Sequence, residues 1–233
     1  MKTFTHNFLK LDLPELTSST LDDGSRFYKS PSGQWLPSVT TVVNHEKKEF
    51  FKAWRLDPNN QAKGLRAQNR GTQIHGIAER YVLNMLDPST EHPEAMKLFE
   101  TGFRQELDKH VDNVRASETT LWSDLLGLAG RVDLIADYRK KRSVIDFKGA
   151  TQPLREEWIE TYFMQISTYA VMWEERTGET IEQVVIIAAV EDPQITQVFV
   201  KEPGNYLDRI LEVKAKYLAD TVKSIQQQQK EVK

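Results

Sequence analysis

The chain has 233 residues, with 31 lysines and arginines against 34 aspartates and glutamates and a formal net charge of −3. That balance identifies no partner by itself, and an enzyme of nucleic acid with this charge must gather its cations locally. Cysteine is absent, which excludes disulfides, thiolate zinc sites, iron–sulfur clusters and a cysteine nucleophile together, and no run of about 18 apolar residues offers a membrane span.

The first stretch, to about residue 43, is turn-rich. Arg26-Phe27-Tyr28-Lys29, the polar turn Ser30-Pro31-Ser32-Gly33 and Gln34-Trp35-Leu36 predict a small hairpin. Ser38 is placed to cap a short helix over 39–43. Helical text follows from 47, with Phe50, Phe51, Trp54 and Leu56 as one apolar set and a boundary at Asp57-Pro58. A longer helix is expected over 60–86, closed by Asp87-Pro88, and a third over 93–115, carrying Met96, Phe99, Phe103 and Leu107 at helical spacing. Strands are then expected over 118–122, 128–138 and 143–148, a helix over 154–176 ended by Gly178, and strands over 184–190 and 195–200. A last helix over 205–225 leads into a frayed glutamine-rich tail at 226–229.

Two of these strands hold the most informative pattern. Gly130-Arg131-Val132-Asp133 ends in a carboxylate, and Ile145-Asp146-Phe147-Lys148 carries Asp-x-Lys. Alternation puts Asp146 and Lys148 on one face of their strand, with Ile145 and Phe147 on the other. The short turn between the two strands makes them antiparallel neighbours, which brings Asp133 beside Asp146. Paired carboxylates repel unless a cation lies between them, and oxygen ligands suit Mg²⁺ or Mn²⁺. A lysine on the same face can hold a water beside a phosphate, as hydrolysis of a phosphodiester requires. Further upstream, Lys63, Arg66 and Arg70 recur at three- and four-residue spacing and form either a basic stripe suited to a phosphate backbone or a solvated helix face. His75 and Glu79 are four apart and share a helical face, as do Gln165 and Tyr169. Trp35, Trp54 and Tyr81 are either base-stacking residues or core.

Taken in order, four stretches resemble the PD-(D/E)xK nuclease superfamily and, within it, the RecB-like branch: the helical Arg70-Gly71-Thr72-Gln73-Ile74-His75-Gly76-Ile77-Ala78-Glu79, Gly130-Arg131-Val132-Asp133, Asp146-Phe147-Lys148 and Gln165-Ile166-Ser167-Thr168-Tyr169. Leu36-Pro37-Ser38-Val39-Thr40 and Lys52-Ala53-Trp54-Arg55 are also similar to mitochondrial genome maintenance exonucleases and their bacteriophage relatives. Val132 stands where the superfamily's name has proline, and the motif is Asp-x-Lys rather than Glu-x-Lys.

The resemblance implies an α/β fold, a restriction-endonuclease-like core with a central mixed sheet flanked by helices. An N-terminal hairpin and helical section precedes it. One nuclease domain is expected over 1–233, with that first section over 1–115, the catalytic sheet core over 116–203 and a C-terminal helix and tail over 204–233. It implies a metal held by His75, Asp133, Asp146 and the Phe147 carbonyl, with Asp133, Asp146 and Lys148 as the catalytic set. Glu79 would orient His75. Glu118 is either an acidic member of the site or a strand-edge surface residue, and Gln165 and Tyr169 would contact the substrate backbone or steady the lysine strand. The expected activity is a Mg²⁺- or Mn²⁺-dependent DNA exonuclease favouring single strands, in replication, recombination or repair. A structure-specific endonuclease and a non-catalytic DNA-binding protein of the same fold are the alternatives. No Gly-x-x-x-x-Gly-Lys-Ser/Thr loop is present, so unwound strands would come from replication or recombination proteins. The start, Met1 to His6, lacks an apolar core, and Asp12, Glu15, Asp22 and Asp23 argue against a transit peptide. A cytoplasmic location in a bacterial or phage-infected cell is therefore expected.

Overall fold

The computed structural model describes residues 1–8 and 13–231. Three short strands, β1 (Ser18–Thr20), β2 (Arg26–Lys29) and β3 (Trp35–Pro37), make an antiparallel sheet. Its β2–β3 turn is closed by the Gly33 N–H on the Ser30 carbonyl, with Gly33 at φ 87°. Ser38 then caps α1 (Val39–Val43) by accepting from the Thr41 N–H, as the sequence predicts. The helices α2 (Lys48–Leu56) and α3 (Pro58–Val82) are divided at Asp57, whose side chain caps α3 just ahead of Pro58 at its first position. After α4 (Pro93–Phe99), a π-helical turn at Glu100–Arg104 and α5 (Gln105–His110), the chain enters the main sheet.

That sheet holds β4 (Val111–Ser123), β5 (Leu128–Tyr138), β6 (Lys141–Ala150), β7 (Gln183–Val190) and β8 (Ile195–Lys201), hydrogen-bonded in sequence order. All neighbours are antiparallel except β6 and β7, which α6 (Glu160–Thr177) joins as a parallel pair. Arg139 and Lys140 turn β5 into β6, both with positive φ (51° and 67°), the conformation a two-residue I′ hairpin turn needs. The last helix, α7 (Leu207–Glu231), packs beside α6. Every residue of β7 is buried, as expected for a central strand covered on both sides.

Alternation along β6 and β7 sorts two cores. Val144, Val184 and Ile186 pack against Phe163, Ile166 and Trp173 of α6, Val42 of α1 and Val213 of α7. Ile145, Phe147, Val185 and Ile187 pack against Ile74 and Ile77 of α3, Phe99 and Phe103 of the π-containing segment and Leu107 of α5. The mixed sheet flanked by helices, with an N-terminal hairpin sheet, is the fold class that the sequence motifs imply.

Several expected boundaries move. The helix predicted over 93–115 ends at His110, because Val111 and Asp112 pair with Tyr138 and Asp137 of β5. Tertiary pairing there overrides a weak helical pattern. Within that helix Gly102 lies so close to β7 that the backbone opens into a π turn. The helix α3 ends at Val82 rather than 86, with Asn84 at φ 61° and its side chain bonded to the backbone of Phe4. The α6 helix starts at Glu160 instead of 154, since Leu154 exchanges backbone hydrogen bonds with the Gln197 side chain. Residues 226–229, expected to fray, continue α7.

A Cβ at Gly102 would lie 2.2 Å from the Ala189 Cβ and 2.9 Å from its Cα. Gly102→Ala is therefore expected to lower stability by roughly 1–3 kcal/mol, read as a reduced urea midpoint with an unchanged m-value.

Candidate active site

The pairing register builds a row of acids. Leu134 faces Ile145 between β5 and β6, so the next residues outward, Asp133 and Asp146, face each other. Ser117 and Thr119 pair with Leu134 and Val132, which sets Glu118 opposite Asp133 on the other side. Three neighbouring strands thus each contribute one carboxylate to a single line across the sheet.

The pleat breaks at that line. Val132 packs in the α6-side core and Leu134, two residues on, in the α3-side core, though regular alternation would put them together. Glu118 has φ +47°, a left-handed conformation costly for a residue with a Cβ. The β5–β6 backbone pairing also stops there, and the Phe147 N–H donates to the Asp133 Oδ2 at 2.9 Å. A side-chain acceptor replaces a ladder bond, which fixes the Asp133 carboxylate at the sheet end.

His75 on α3 comes in above this line, with Nδ1 3.4 Å from the Asp133 Oδ2. The ligand atoms of His75, Glu118 and Asp133 all lie within 4.8 Å of one another. Asp146 is buried at 2 % exposure, and its Oδ2 lies 2.5 Å from the Lys148 Nζ. That contact is an ion pair without hydrogen-bond alignment, and Oδ2 has no hydrogen-bond partner among the described residues. Lys148 lies over the Tyr162 ring at 4.8 Å.

The electrostatics follow from crowding. Burial first, then the charges of Asp133 and Glu79, push the Glu118 carboxyl up to about 7. Burial raises the Asp146 carboxyl too, against the pull of Lys148. The same burial disfavours the Lys148 ammonium, but the charges of Asp146 and Asp133 outweigh it and hold lysine above its usual range. The lysine therefore stays charged beside the carboxylates. Burial, with Asp133 and Asp146 nearby, also raises the Tyr169 hydroxyl.

Tyr169 and Gln165 brace the motif from α6. The Gln165 Nε2 donates to the Tyr169 hydroxyl at 3.2 Å, and a Cβ at residue 130 would lie 2.7 Å from that hydroxyl. Glycine at 130 is thus the condition for Tyr169 to reach the acidic row. All of these side chains line one open cleft of about 1360 Å³, with Glu79 on its wall. Its other walls come from α2, the cleft side of α3, and the β1–β2 hairpin.

The basic stripe does not join them. Gln61, Gly64, Leu65, Gln68, Thr72 and His75 form the cleft face of α3, and helical spacing puts Lys63, Arg66 and Arg70 on the opposite side. Lys63 and Arg66 are exposed there. Arg70 is structural: its guanidinium bonds to Thr151 Oγ1 at 3.0 Å and to Glu191 Oε2 at 2.7 Å, tying α3 to the far end of β6 and β7. Of the candidate stacking residues, Trp54 lines the cleft, Tyr81 is buried against Phe4 and Phe99, and Trp35 is exposed outside the cleft. Two features escape the sequence motifs. Tyr162 shares a helical face with Gln165 and Tyr169, a spacing that would have found it, whereas the ion pair of Arg131 with Glu15 joins distant segments and leaves no local signal.

The model of the PD-(D/E)XK nuclease superfamily matches residues 101–232, more than half of the chain and the whole acidic sheet. The chain belongs to this nuclease superfamily. No curated protein matches it significantly. A solved structure titled "Crystal structure of SSO0001" is 14% identical over 77% of this chain and 75% of that one, with a TM-score of 0.32. Membership in the superfamily implies a metal-dependent nuclease acting on DNA, and His75, Glu118 and Asp133 cluster as a possible metal site. The donor set fits such an ion. Buried Asp146, whose Oδ2 makes an ion pair with Lys148 but no aligned hydrogen bond, lies next to two further acids and an imidazole, a set that suits a hard divalent cation.

Glu118 carries a further consequence. Its folded pKa stands near 7 against a usual 4.5, so the folded metal-free protein binds the extra proton and loses stability as pH rises through about 4.5 to 7. Glu118→Gln is expected to raise the Tm of the chelated protein at pH 8 and leave it nearly unchanged at pH 4.5. Calorimetry at the two pH values checks this, and equal shifts at both would remove the charge argument.

Proposed function

We propose that the protein is a divalent-metal-dependent DNA exonuclease of the RecB-like kind that degrades single strands. The observation that carries the reading is the line Glu118–Asp133–Asp146 with Lys148 and His75 at the foot of the cleft. His75 lies outside the family match, and its approach to Asp133 supports a ligand role. Asp133, Asp146, Glu118, His75 and the Phe147 carbonyl would hold the ion. Mg²⁺ or Mn²⁺ suits this oxygen-rich set, and the imidazole favours Mn²⁺. Bound there, the cation supplies charge that polarises the phosphoryl oxygen and lowers the pKa of a coordinated water.

The remaining work belongs to side chains. Lys148, kept charged by its acidic neighbours, positions the attacking water and stabilises charge developing on the phosphate. Tyr162 beneath the ammonium limits its swing. Gln165 and Tyr169 steady the strand backbone at the cleft floor, and Glu79 orients the helix ligand from its neighbouring turn. The α2–α3 wall and the β1–β2 hairpin flank the cleft, and the exonuclease reading has a strand laid along it reach the acidic row by its end. Replication or recombination proteins would supply the opened strands.

Asp146→Asn and Lys148→Met are each expected to lower cleavage by roughly 100-fold or more while the circular dichroism spectrum is retained. Either variant cutting at the wild-type rate would disprove the site. Linear single strands should be degraded and a closed circle of the same sequence should survive. Rapid cutting of the circle would make the enzyme an endonuclease.

A further inference from the structure

At the end of the cleft away from the acids, the wall is apolar and aromatic. Phe51 on α2 lines it at 40 % exposure, stacked edge-on against the more exposed Phe50 at 5.6 Å. Trp54, one turn on, lies against Gly64 of α3, where a Cβ would come within 3.2 Å of its ring. Leu65, at 59 % exposure, completes the patch. Large apolar side chains on a cleft wall lose free energy to water unless something covers them.

Charge decides between occupants. Outside the acidic row the cleft is lined by the cations Arg26, Lys48 and Arg131 and by His45. Lys48 is already paired with Asp23 at 2.6 Å, Arg131 with Glu15, and His45 with Asp220 at 3.0 Å. Arg26 alone of these has no ion pair among the described residues, so the wall offers phosphates little free charge, and its aromatic rings offer a face to unpaired bases. A duplex keeps its bases stacked inside and could not use them.

We propose that Phe51, with Trp54 and Leu65, is a base-stacking platform that binds a single strand upstream of the acidic row. This rests on the single-strand nuclease reading of the same cleft. From Gly64, beneath Trp54, to His75 the helix rises about 16 Å at 1.5 Å per residue. At about 3.4 Å per stacked nucleotide the platform engages bases about five nucleotides from the phosphate being cut, and fewer where the strand is stretched. Strands shorter than that reach the acids without touching the platform.

The test separates binding from cleavage. Affinity is measured by fluorescence anisotropy, in chelator, for labelled oligothymidylate of about twenty residues and for a fully abasic strand of equal length. Phe51→Ala is expected to weaken oligothymidylate binding about fivefold or more, the low end of what stacking one base contributes. Phe51→Tyr should restore it. The abasic strand should bind wild type and Phe51→Ala equally, and the affinity for oligothymidylate should fall only shallowly with salt. Unchanged affinity of Phe51→Ala for oligothymidylate overturns the platform, as does an equal loss on the abasic strand. If wild-type protein binds oligothymidylate in this way yet cuts no DNA with Mg²⁺ or Mn²⁺, the nuclease reading fails and the platform stands.

Discussion

Three carboxylates in register across β4, β5 and β6 set the terms for the rest of the molecule. Glu118 and Asp133 lie within 4.8 Å of each other, and like unit charges at about that distance repel by roughly 3 kcal/mol at an effective dielectric of about 20. The fold answers that repulsion in three ways at once. Lys148 sits against Asp146, a proton is retained by Glu118 up to about pH 7, and His75 is brought beside Asp133. None of these removes the imbalance, since three acids share one lysine and one imidazole. A divalent cation bound here would complete the charge arithmetic that the protein alone leaves open, and would tie the metal use of the superfamily to the packing of this sheet.

Holding acids in such a line also costs backbone regularity. The left-handed Glu118, the switched pleat at Val132 and Leu134, and the Phe147 amide turned onto Asp133 all lie at the same level of the sheet. Strain of this kind persists where surrounding packing over-determines it. Here the packing is dense on both sides: Tyr169 fills the space above Gly130, and Ile74 lies within 2.8 Å of where a Gly149 Cβ would stand. The glycines of β5 and β6 therefore let two helices close on the strands that carry the acids.

Much of this was legible in the sequence because the relevant patterns are local. Asp146 and Lys148 are two apart on one strand, Gln165 and Tyr169 one turn apart on a helix, and Ser38 and Gly178 mark caps that the structure keeps. Asp133 beside Asp146 needed only a tight turn between neighbouring strands. What escaped was set by distant partners. The strand at 111–115 follows from pairing with β5, and the π turn from contact of Gly102 with Ala189. Lys63, Arg66 and Arg70 show why charge spacing alone misleads: it finds a helical face but cannot say which way that face turns, and Arg70 spends its donors on Thr151 and Glu191.

The direction in which α3 turns is itself the link between fold and substrate. Its core side is fixed by Ile74, Ile77 and Ala78 against the sheet, and that rotation presents His75 to Asp133 while carrying the arginines away from the cleft. With the basic side turned out, the cleft face of α3 is left with glutamine, glycine, threonine and leucine, and the aromatic residues of α2 lie over its first turns. A helix rotated by half a turn would have turned its basic side to the cleft and His75 away from Asp133. The observed rotation keeps His75 beside Asp133, and on the reading proposed above recognition of a strand would fall to apolar and aromatic contacts with its bases.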